Sequence, residues 1–580
     1  MTKQLLVLGC SQVKRNATGL LPAIDRYDGT AYRVLRKFLR SHCWPGGLSV
    51  AVLSAKYGLV GGFTGIEDYD ERMTPNKAAA LSGRCHELLY TWSQSHRSIH
   101  FSLGKDYLPA VKSALDSGLE SETEVFDGPI GMKLSQIKDF LSKTISTEKH
   151  KADLPEPGSG QVSYFLPDWD DLLDINFNFS TDTFSGKSPS ERGDKHCSIL
   201  MKPERMHDGI LVSLAQHVTS KGPLRRFEGS EEQSLAPKNL RDQFGLEHNQ
   251  TLFGDCGAFS YVNEVEPSIS VEQAVALYDL HGFDFGASVD HIPVAHVFRK
   301  GLSVDLTRGE QLARVRKTKK NAELFLDAAH KRRVSFRPVG TIQALDPASY
   351  AQTVKLYYEF GYRYIAIGGL VPQSDAAIQK IVKAVMKTVS KLPERPWIHL
   401  FGVFRPKLQE LFRNLKVDSF DSATYFRKAW LRSDQNYLAT DGNWYAAIRV
   451  PMTKDPRTRK RLEESKVDLQ RLEIQEATVM NLLTRYGREE ISMREVLDAV
   501  IGYDEQLTRS SEVQSLQAKY KKTLGDRPWK SCACPFCKDI GIHMLIFRGA
   551  NRNKRRGTHN TLMLYNMLRT DAIPPDDQIK

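Results

Sequence analysis

A repeated alternation of short apolar strands and helical segments runs through residues 196–455, and it constrains the fold more than any other feature. Helical patterns such as VEQAVALYDLHG and ASYAQTVKLYYEFG lie between the strands. Some 250 residues with this rhythm predict an α/β fold, a TIM (β/α)8 barrel. A doubly wound sheet is the alternative, but no Gly-x-Gly-x-x-Gly opens any of these units. The segments with strand character are GILVSLAQ, QTLFGD, FDFGASVD, VSFRPVGTIQ, YRYIAIGG, WIHLFGVF and VDSFDSATY.

The rest of the chain divides into four further parts. A chain of 580 residues is too long for one hydrophobic core. Residues 1–145 repeat the strand–helix alternation and predict a small three-layer α/β domain. Residues 146–195, rich in turn-forming residues, indicate a linker and barrel lead-in with the aromatic island SYFLPDWDDLLD. Residues 456–525 predict a helical insertion, and residues 526–580 predict a zinc-binding subdomain.

Apolar runs and cysteine usage indicate the compartment. No uninterrupted apolar run reaches the roughly 18–20 residues that cross a bilayer, and the run that opens MTKQLLVLGC is too short for a secretory signal. Three of the eight cysteines lie in CACPFC and the others are scattered, which is no disulfide framework. We therefore expect a cytoplasmic protein with no membrane partner.

An excess of basic residues favours a polyanionic partner. The formal net charge is +12, which suits a nucleic acid but also an ordinary solvated surface. One basic cluster lies between the cysteines and a downstream histidine, and this position favours nucleic acid. The clusters are Arg314, Arg316, Lys317, Lys319 and Lys320; Arg457, Arg459, Lys460 and Arg461; and Arg552, Lys554, Arg555 and Arg556.

Polar or glycine residues follow the predicted barrel strands where chemistry is expected. In a barrel of this type, the carboxyl ends of the strands carry the active site. Two carboxylates on separate strands can act as nucleophile and as acid/base in a double displacement at an anomeric carbon. Taken singly, each aspartate also fits a helix cap or a turn. The residues at these strand ends are Asp255, Asp290, Gln343, Gly368, Gly369 and Asp421.

The cysteine cluster predicts a metal site. Cys532, Cys534 and Cys537 have Cys-x-Cys-x₂-Cys spacing, and His559 follows 22 residues after the last of them. Three thiolates and one imidazole complete a tetrahedral Zn²⁺ site, which is structural because no position remains open for water. His543 is the rival fourth ligand; His559 is preferred because it opens the helical segment HNTLMLYNML.

Several ordered motifs carry a resemblance to a known family. GDCGAFSY, SVDHIP, GTIQAL, AIGGLVP, VDSFDSATY and CACPFC with THN resemble successive motifs of the tRNA-guanine transglycosylase superfamily, over roughly residues 205–570. The island YFLPDWDDLLD, and the lack of an RNA-binding module after the cysteines, resemble its DNA-modifying branch. That resemblance implies exchange of guanine in DNA for a 7-deazaguanine, with 7-cyano-7-deazaguanine as the expected base.

The resemblance also implies roles for individual residues. Asp421 matches the nucleophile that attacks C1′ and forms a covalent sugar–enzyme ester, and Asp255 matches the general acid/base. Phe259 is expected to stack on the base. The edge of the base is expected to be read by Asp290, Gln343, Gly368, Gly369 and Leu370. It further implies partner proteins, including an accessory ATPase, and leaves a homodimer open.

Two departures from the family pattern leave alternatives open. The family's Asp-Ser-Gly-Gly-Phe-Gln is here Asp-Cys-Gly-Ala-Phe-Ser, so contacts made at Cys256, Ala258 and Ser260 are in doubt. A Cys256 thiol nucleophile is a weak alternative, because no histidine lies beside it in sequence. The connection from Asp421 to Cys532 is longer than the family's, and the segment 456–525 fills it either as a DNA or partner contact or as a packed helical hairpin.

The amino-terminal segment resembles a small α/β family related to YaaA-type proteins. The motifs are GCSQVKR, LSAKYGLV and EDYDERM, which contain Lys14, Ser54, Lys56 and Tyr57. Lysine and serine at strand ends can bind phosphate, which suits nucleic-acid handling; a purely architectural domain is the alternative.

Three functions therefore compete. The leading hypothesis is a DNA guanine transglycosylase that uses structural Zn²⁺. The same chemistry on tRNA is the first alternative, because the catalytic motifs do not distinguish the two polymers. A catalytically inactive, zinc-containing nucleic-acid-binding protein is the second, and the presence of both Asp255 and Asp421 argues against it.

Overall fold

The computed structural model describes most of the chain and contains an amino-terminal α/β domain, a closed barrel and a helical carboxyl-terminal region. Among the described residues, no helix has the length and apolar character needed to span a bilayer. The described residues are 3–17, 20–42, 44–144, 156–168, 171–215, 235–237, 239–299, 301–431, 434–454, 459, 468–507 and 510–570.

The amino-terminal domain is a three-layer sandwich, as predicted. Its sheet has the order β3-β2-β1-β4-β5, in which only β3 is antiparallel to its neighbour. Helices cover both faces, and each face has its own apolar core. The strands are β1 (Gln4–Gly9), β2 (Leu48–Ser54), β3 (Gly58–Gly61), β4 (Ser98–Ser102) and β5 (Glu122–Val125), and the helices are α1 (Thr30–Ser41), α2 (Pro75–Ala80), α3 (Ser82–Ser93), α4 (Leu108–Asp116) and α5 (Ile130–Lys143).

A closed barrel of eight parallel strands confirms the predicted TIM fold. A hairpin, β10–β11, is inserted after the fourth barrel strand. The strands are β6 (Ser163–Pro167), β7 (Gly209–Ser213), β8 (Thr251–Asp255), β9 (Phe285–Ala287), β10 (His296–Arg299), β11 (Leu302–Asp305), β12 (Arg337–Ile342), β13 (Tyr364–Ile367), β14 (Trp397–Leu400) and β15 (Ser419–Asp421).

Aromatic side chains fill the inside of the barrel. Phe165, Phe253, Phe285 and Trp397 form a separate buried cluster, with the rings of Phe285 and Trp397 stacked at 5.2 Å between centroids. Helices pack outside the strands. They are α6 (Leu240–Phe244), α7 (Val271–Leu280), α8 (Arg308–Arg332), α9 (Pro347–Phe360), α10 (Asp375–Val389), α11 (Gln409–Asn414) and α12 (Thr424–Lys428).

The barrel begins earlier in the chain than the predicted start at residue 196. Its first strand is β6, Ser163–Pro167, within the segment 146–195 interpreted as linker and lead-in. β6 pairs with both β7 and β15 and so closes the barrel. The strand was missed because the short segment SYFLP, flanked by polar turn residues, has no periodicity of its own. Only its pairing with the last strand identifies it.

The carboxyl-terminal region packs on the barrel. Tyr486 donates a hydrogen bond from its hydroxyl to the Leu524 carbonyl at 2.7 Å, and Tyr503 donates to the Pro451 carbonyl at 2.8 Å. The predicted insertion is thus a packed helical unit that shares one apolar core with the barrel. The helices are α13 (Leu469–Gly487), α14 (Met493–Leu507), α15 (Ser510–Asp526), α16 (Pro535–Ile540) and α17 (Gly549–Thr570).

The three arginines of the basic cluster on α17 are buried, contrary to the interpretation of that cluster as a nucleic-acid contact. Arg552 and Arg556 are fully buried and Arg555 is 3% exposed. Arg552 pairs with Asp182, and Arg556 donates to the Ala429 carbonyl at 2.6 Å. These guanidinium groups therefore tie α17 to neighbouring chain segments. Arg457, Lys460 and Arg461 of another cluster lie outside the described residues.

A buried arginine joins the amino-terminal domain to the barrel. Arg332, at the end of α8, contacts Asp25 of the amino-terminal domain and Asp279 at the end of α7. The Arg332 and Arg15 guanidinium groups hold the pKa of Asp25 below its usual value, although burial alone raises it. Breaking such a buried pair leaves an uncompensated charge, so this contact fixes the domain against the barrel.

Candidate active site

The predicted catalytic residues gather at one rim of the barrel. Asp255 and Asp421 are the last residues of β8 and β15. Gln343 directly follows β12, and Asp290 lies three residues after the end of β9. Because all eight strands run parallel, these carboxyl ends meet at the same rim. Carboxylate oxygens of Asp255 and Asp290 lie within 4.8 Å of each other, and Asp421 lies near enough to contribute to the raised pKa of Asp255.

Asp421 is held by two donors on one of its oxygens. His399 Nε2 lies 3.1 Å from Asp421 Oδ1, and the Gly402 backbone N–H donates to the same oxygen at 2.8 Å. No described residue forms a hydrogen bond with Oδ2. One oxygen therefore orients the carboxylate and the other remains available for attack. Ser419 lies 2.7 Å from His399 Nδ1, so a hydroxyl that donates there leaves the proton on Nε2.

His399 is a site residue that the sequence did not identify. It lies on β14, is fully buried, and is surrounded by the barrel aromatics Phe165, Phe253 and Phe401. Burial lowers the pKa of His399 despite the nearby Asp421 carboxylate, which keeps the ring neutral. The one signal in the sequence was a single polar residue inside WIHLFGVF, which reads equally as a core histidine.

Replacing His399 is expected to slow turnover without preventing folding. His399→Phe removes one donor from Asp421, and a hydrogen bond to a charged group is worth about 1.5–3 kcal/mol, or roughly 10–100-fold in rate. Steady-state kinetics should show a lower kcat with KM little changed. His399→Gln, whose amide can donate, should recover part of kcat; equal kcat in all three proteins would contradict a positioning role.

The pKa of Asp255 lies well above that of an ordinary carboxyl group. Burial, and then the charges of Asp290 and Asp421, raise the pKa of Asp255 to about 8, although the Gly257 N–H donates to Oδ2 at 3.1 Å. A carboxyl group with this pKa can deliver a proton at pH 7 and recover one later. This is the property of a general acid/base.

Asp290, Gln343 and Cys256 form one buried network. Gln343 donates from Nε2 to Asp290 Oδ2 at 2.6 Å, and the Cys256 thiol donates to Oδ1 at 2.8 Å. The Tyr261 hydroxyl donates to the Asp290 carbonyl at 2.9 Å. Burial and the Asp290 charge raise the pKa of the Cys256 thiol, which removes the thiolate that a cysteine nucleophile requires. Cys256 thus supports Asp290.

An acceptor in this network is left without a partner. Gln343 Oε1 is buried and accepts no hydrogen bond from any described residue. An unsatisfied buried acceptor costs about 1–3 kcal/mol, so a ligand N–H is a natural partner. Gly368 is needed here, because a Cβ on it would lie 2.2 Å from Gln343 Nε2. Gly369 has φ +71°, and Leu370 is fully buried beside it.

Phe259 lies at the mouth of the site and is exposed. It belongs to a short 3₁₀ segment, Ala258–Tyr261, that follows β8. Its side chain is 59% exposed, whereas Tyr261 of the same segment is 1% exposed. The ring therefore has no packing role in the core, and stacking on a base remains its predicted role. Ala258 is buried and Ser260 is exposed.

The four predicted zinc ligands converge in the structure. The ligand atoms of Cys532, Cys534, Cys537 and His559 all lie within 4.8 Å of one another, and all four residues are buried. The sulfurs lie 3.4–3.7 Å from His559 Nδ1. This donor set and its enclosure fit a closed tetrahedral Zn²⁺ site.

Contacts around the cluster orient its ligands. His559 Nε2 lies 2.7 Å from the Leu438 carbonyl, which leaves Nδ1 for a metal. The Tyr437 ring stacks on His559 at 4.2 Å. His543, the rival ligand, lies outside the cluster, and Arg552 donates to its Nδ1 at 3.4 Å. The choice of His559 thus agrees with the geometry.

The amino-terminal motifs also meet in space. Ser54 Oγ, at the end of β2, lies 3.1 Å from the Tyr27 hydroxyl and 2.8 Å from that of Tyr69. The Lys14 and Lys56 ammonium groups lie 4.5 and 5.8 Å from the centre of the Tyr69 ring. Two lysines therefore lie close together near the end of β2. Phosphate binding there stays a prediction.

Comparison with known proteins agrees with this geometry. A curated DNA-guanine transglycosylase from Salmonella montevideo is 32% identical over 414 residues, which cover 70% of this chain and 97% of that protein. The chain belongs to the tRNA-guanine transglycosylase superfamily, in its DNA-modifying branch. As a guanine transglycosylase it is a pentosyltransferase.

Two further matches support the family. The family model described as Queuine tRNA-ribosyltransferase matches residues 293–545. The tRNA-guanine(15) transglycosylase of Methanococcus aeolicus is 24% identical over 226 residues, or 38% of this chain and 33% of that protein. The segment matched by the family model includes Gln343, Asp421, Cys532, Cys534 and Cys537 of this transglycosylase.

Proposed function

We propose that this transglycosylase exchanges guanine in DNA for 7-cyano-7-deazaguanine by double displacement through Asp421. The observation that carries the proposal is a pair of carboxyl groups at one rim, one oriented with a free oxygen and the other with a raised pKa. Asp421 is oriented by His399 and Gly402 with Oδ2 open, and Asp255 has its pKa raised to about 8. A nucleophile and a proton donor at one rim are what base exchange requires.

The first displacement forms a covalent intermediate. Asp421 Oδ2 attacks C1′ of the target nucleotide, the C1′–N9 bond breaks, and its electron pair leaves with guanine. Asp255 gives its proton to the departing base. The product is an ester between Asp421 and the sugar, with Asp255 now a carboxylate. A site that excludes water protects such an ester from hydrolysis.

The second displacement reverses these steps with another base. The Asp255 carboxylate takes the proton from N9 of the incoming 7-deazaguanine, and N9 attacks C1′ while the bond to Asp421 breaks. Two inversions retain the configuration at C1′. Gln343 Oε1 is the free acceptor for a ring N–H of either base, and Asp290 fixes the Gln343 amide. Guanine and 7-deazaguanine share this edge, which allows the exchange.

DNA is proposed as the polymer because the relative that this chain covers almost completely is a DNA-guanine transglycosylase. The test is incubation of the purified protein with labelled 7-cyano-7-deazaguanine and either duplex DNA, single-stranded DNA or tRNA. Label in DNA is expected. Label in tRNA alone would favour the tRNA alternative, for which the match to a tRNA-guanine(15) transglycosylase stands. An accessory ATPase, other partner proteins and a homodimer remain predictions, as does the cytoplasmic location.

Zn²⁺ is proposed as the structural cofactor. Cys532, Cys534, Cys537 and His559 would hold it, and it would supply folding energy to the carboxyl-terminal region. The base-exchange steps use only the rim residues.

The raised pKa of Asp255 predicts a pH dependence. As pH rises through about 8, Asp255 loses the proton that guanine needs, so the rate of guanine release should fall. Asp255→Asn should lower the rate strongly and abolish the fall in rate near pH 8. The pH profile of kcat/KM for both proteins measures it. A wild-type rate that rises through pH 8 would contradict the assignment.

The same pKa has a consequence for stability. Between the usual pKa of an aspartate and about 8, the folded protein holds a proton that the unfolded chain releases. The free energy of unfolding contributed by Asp255 therefore falls as pH rises across that range and levels off above it. Because asparagine does not titrate, the unfolding free energy of wild type should fall relative to that of Asp255→Asn over the same pH range.

A further inference from the structure

A short β-hairpin projects next to the base-reading residues and has no role in the mechanism above. This finger, residues 296–305, consists of β10 and β11 and lies between Asp290 and the start of α8. The strands pair His296 with Asp305 and Arg299 with Leu302. The turn contains Gly301 at φ +81°, a conformation that favours glycine.

The finger exposes large apolar side chains on both faces. Phe298 is 65% exposed and Leu302 is 70% exposed. Neighbouring residues of a strand point to opposite faces, and paired residues share a face. Leu302 shares its face with Arg299, so Phe298 lies on the other one. Val297 at the base is 1% exposed and anchors the finger. Packing within this chain thus does not explain Phe298 and Leu302.

The finger is tied to the segment that carries Phe259. The Phe298 backbone N–H donates to Asn263 Oδ1 at 2.8 Å. Arg314 of α8 donates at 2.9 Å to both the Val262 carbonyl and the Ile292 carbonyl, and so joins the chain after Phe259 to the chain before the finger. These contacts hold the segment of Phe259 and the finger next to each other at the mouth of the site.

The charges beside the finger suit a phosphate backbone. Arg299 lies on the finger, and Arg308 and Arg316 of the following helix are exposed. Asp305 contacts His296 at 2.6 Å, and Arg299 is itself paired with Glu310 at 3.9 Å. Arg308 and Arg316 are therefore the main cations offered to a phosphate backbone. Cations around an apolar tip are typical of a surface that enters a nucleic-acid duplex.

We propose that the finger is a wedge that enters duplex DNA beside the target guanine and keeps the vacated stack open. This inference rests on the proposed action on DNA. Gln343 and Asp290 are buried below the rim, so a paired guanine reaches them only after leaving the stack. Unstacking costs a few kcal/mol, and apolar side chains inserted between bases offset that cost. Phe298 and Leu302 are the inserted groups.

The test compares duplex DNA, in which the target guanine must leave a base-paired stack, with single-stranded DNA, in which it need not. Base exchange is measured on duplex and single-stranded DNA of the same sequence, with wild type, the double variant Phe298→Ser/Leu302→Ser, and the control Ile130→Ser. Ile130 is also exposed but lies in the amino-terminal domain. The double variant should lose about tenfold on duplex DNA, the worth of one stacked step, and stay within about twofold of wild type on single strands. The control should change neither rate.

A second measurement reports base unstacking independently of base exchange. Fluorescence of 2-aminopurine placed beside guanines in a duplex should rise when wild type binds and rise less with the double variant. Equal losses on both polymers, or an unchanged duplex rate and fluorescence, would overturn the wedge. Wild type that unstacks 2-aminopurine but exchanges no base in either DNA would instead count against the proposed function. A change from dimer to monomer in the variant, seen by light scattering, would show a subunit interface and also overturn the wedge.

Discussion

Asp421→Ala is expected to abolish base exchange, with a fall of at least about 10⁴-fold, the scale seen when a covalent nucleophile is removed. Its neighbours are poorly suited to replace it: burial raises the pKa of Asp255 to about 8, the Cys256 thiol has its pKa raised, and Asp290 accepts hydrogen bonds from Cys256 and Gln343. The variant should fold, because it removes a buried carboxylate and leaves the barrel strands intact.

The covalent intermediate gives a direct measurement. Wild type incubated with DNA without an incoming base should produce a denaturant-resistant protein–DNA adduct, and peptide mapping should place it on Asp421. Asp421→Ala should give none. Asp375→Asn, which alters a partly exposed carboxylate at the start of α10, is the matched control and should form the adduct normally. An adduct on another residue would reject the assignment of the nucleophile.

Cys534→Ser is expected to have the largest effect on stability. Cys534 contributes a sulfur 3.4 Å from His559 Nδ1, and the same sulfur accepts the Cys537 N–H at the start of α16. The cluster belongs to the core that joins α13, α17 and the barrel. Structural sites in isolated peptides bind Zn²⁺ with about 10–16 kcal/mol. Because the apolar core around the cluster remains in the variant, we expect a smaller loss, of at least about 3 kcal/mol in unfolding free energy.

Metal analysis and denaturation test this expectation together. Wild type should contain about one zinc per chain, the number that one closed tetrahedral site holds, and a chelator should lower its stability. Cys534→Ser should lose the metal, and its unfolding free energy should be close to that of wild type treated with the chelator. Cys10→Ser, a cysteine outside the cluster, should keep both metal and stability. Full zinc content in Cys534→Ser would contradict the ligand assignment.

The strand-end residues could be predicted because their signal is local. Asp255 and Asp421 each end a predicted strand, and parallel strands bring such ends to one rim whatever the loops between them. The cysteine spacing is local too, and it predicted the ligands that converge around His559. Family motifs then supplied the order of the rim residues.

Other features depended on contacts between distant segments. β6 became a strand through pairing with β7 and β15, and His399 became a site residue only where β14 lies beside Asp421. Arg552 carries the same charge in sequence as a DNA-binding arginine, but its partner Asp182 lies far away in the chain.

The sequence by itself determined the barrel, the rim carboxylates and the cysteine–histidine cluster, since strand rhythm and cysteine spacing are properties of neighbouring residues. Only the tertiary structure decided which polar groups face one another. It raised the pKa of Asp255 by placing Asp290 and Asp421 near it in a buried rim, and it left Phe298 and Leu302 exposed at the mouth. Burial and charge proximity depend on the whole fold, so no local pattern predicts them.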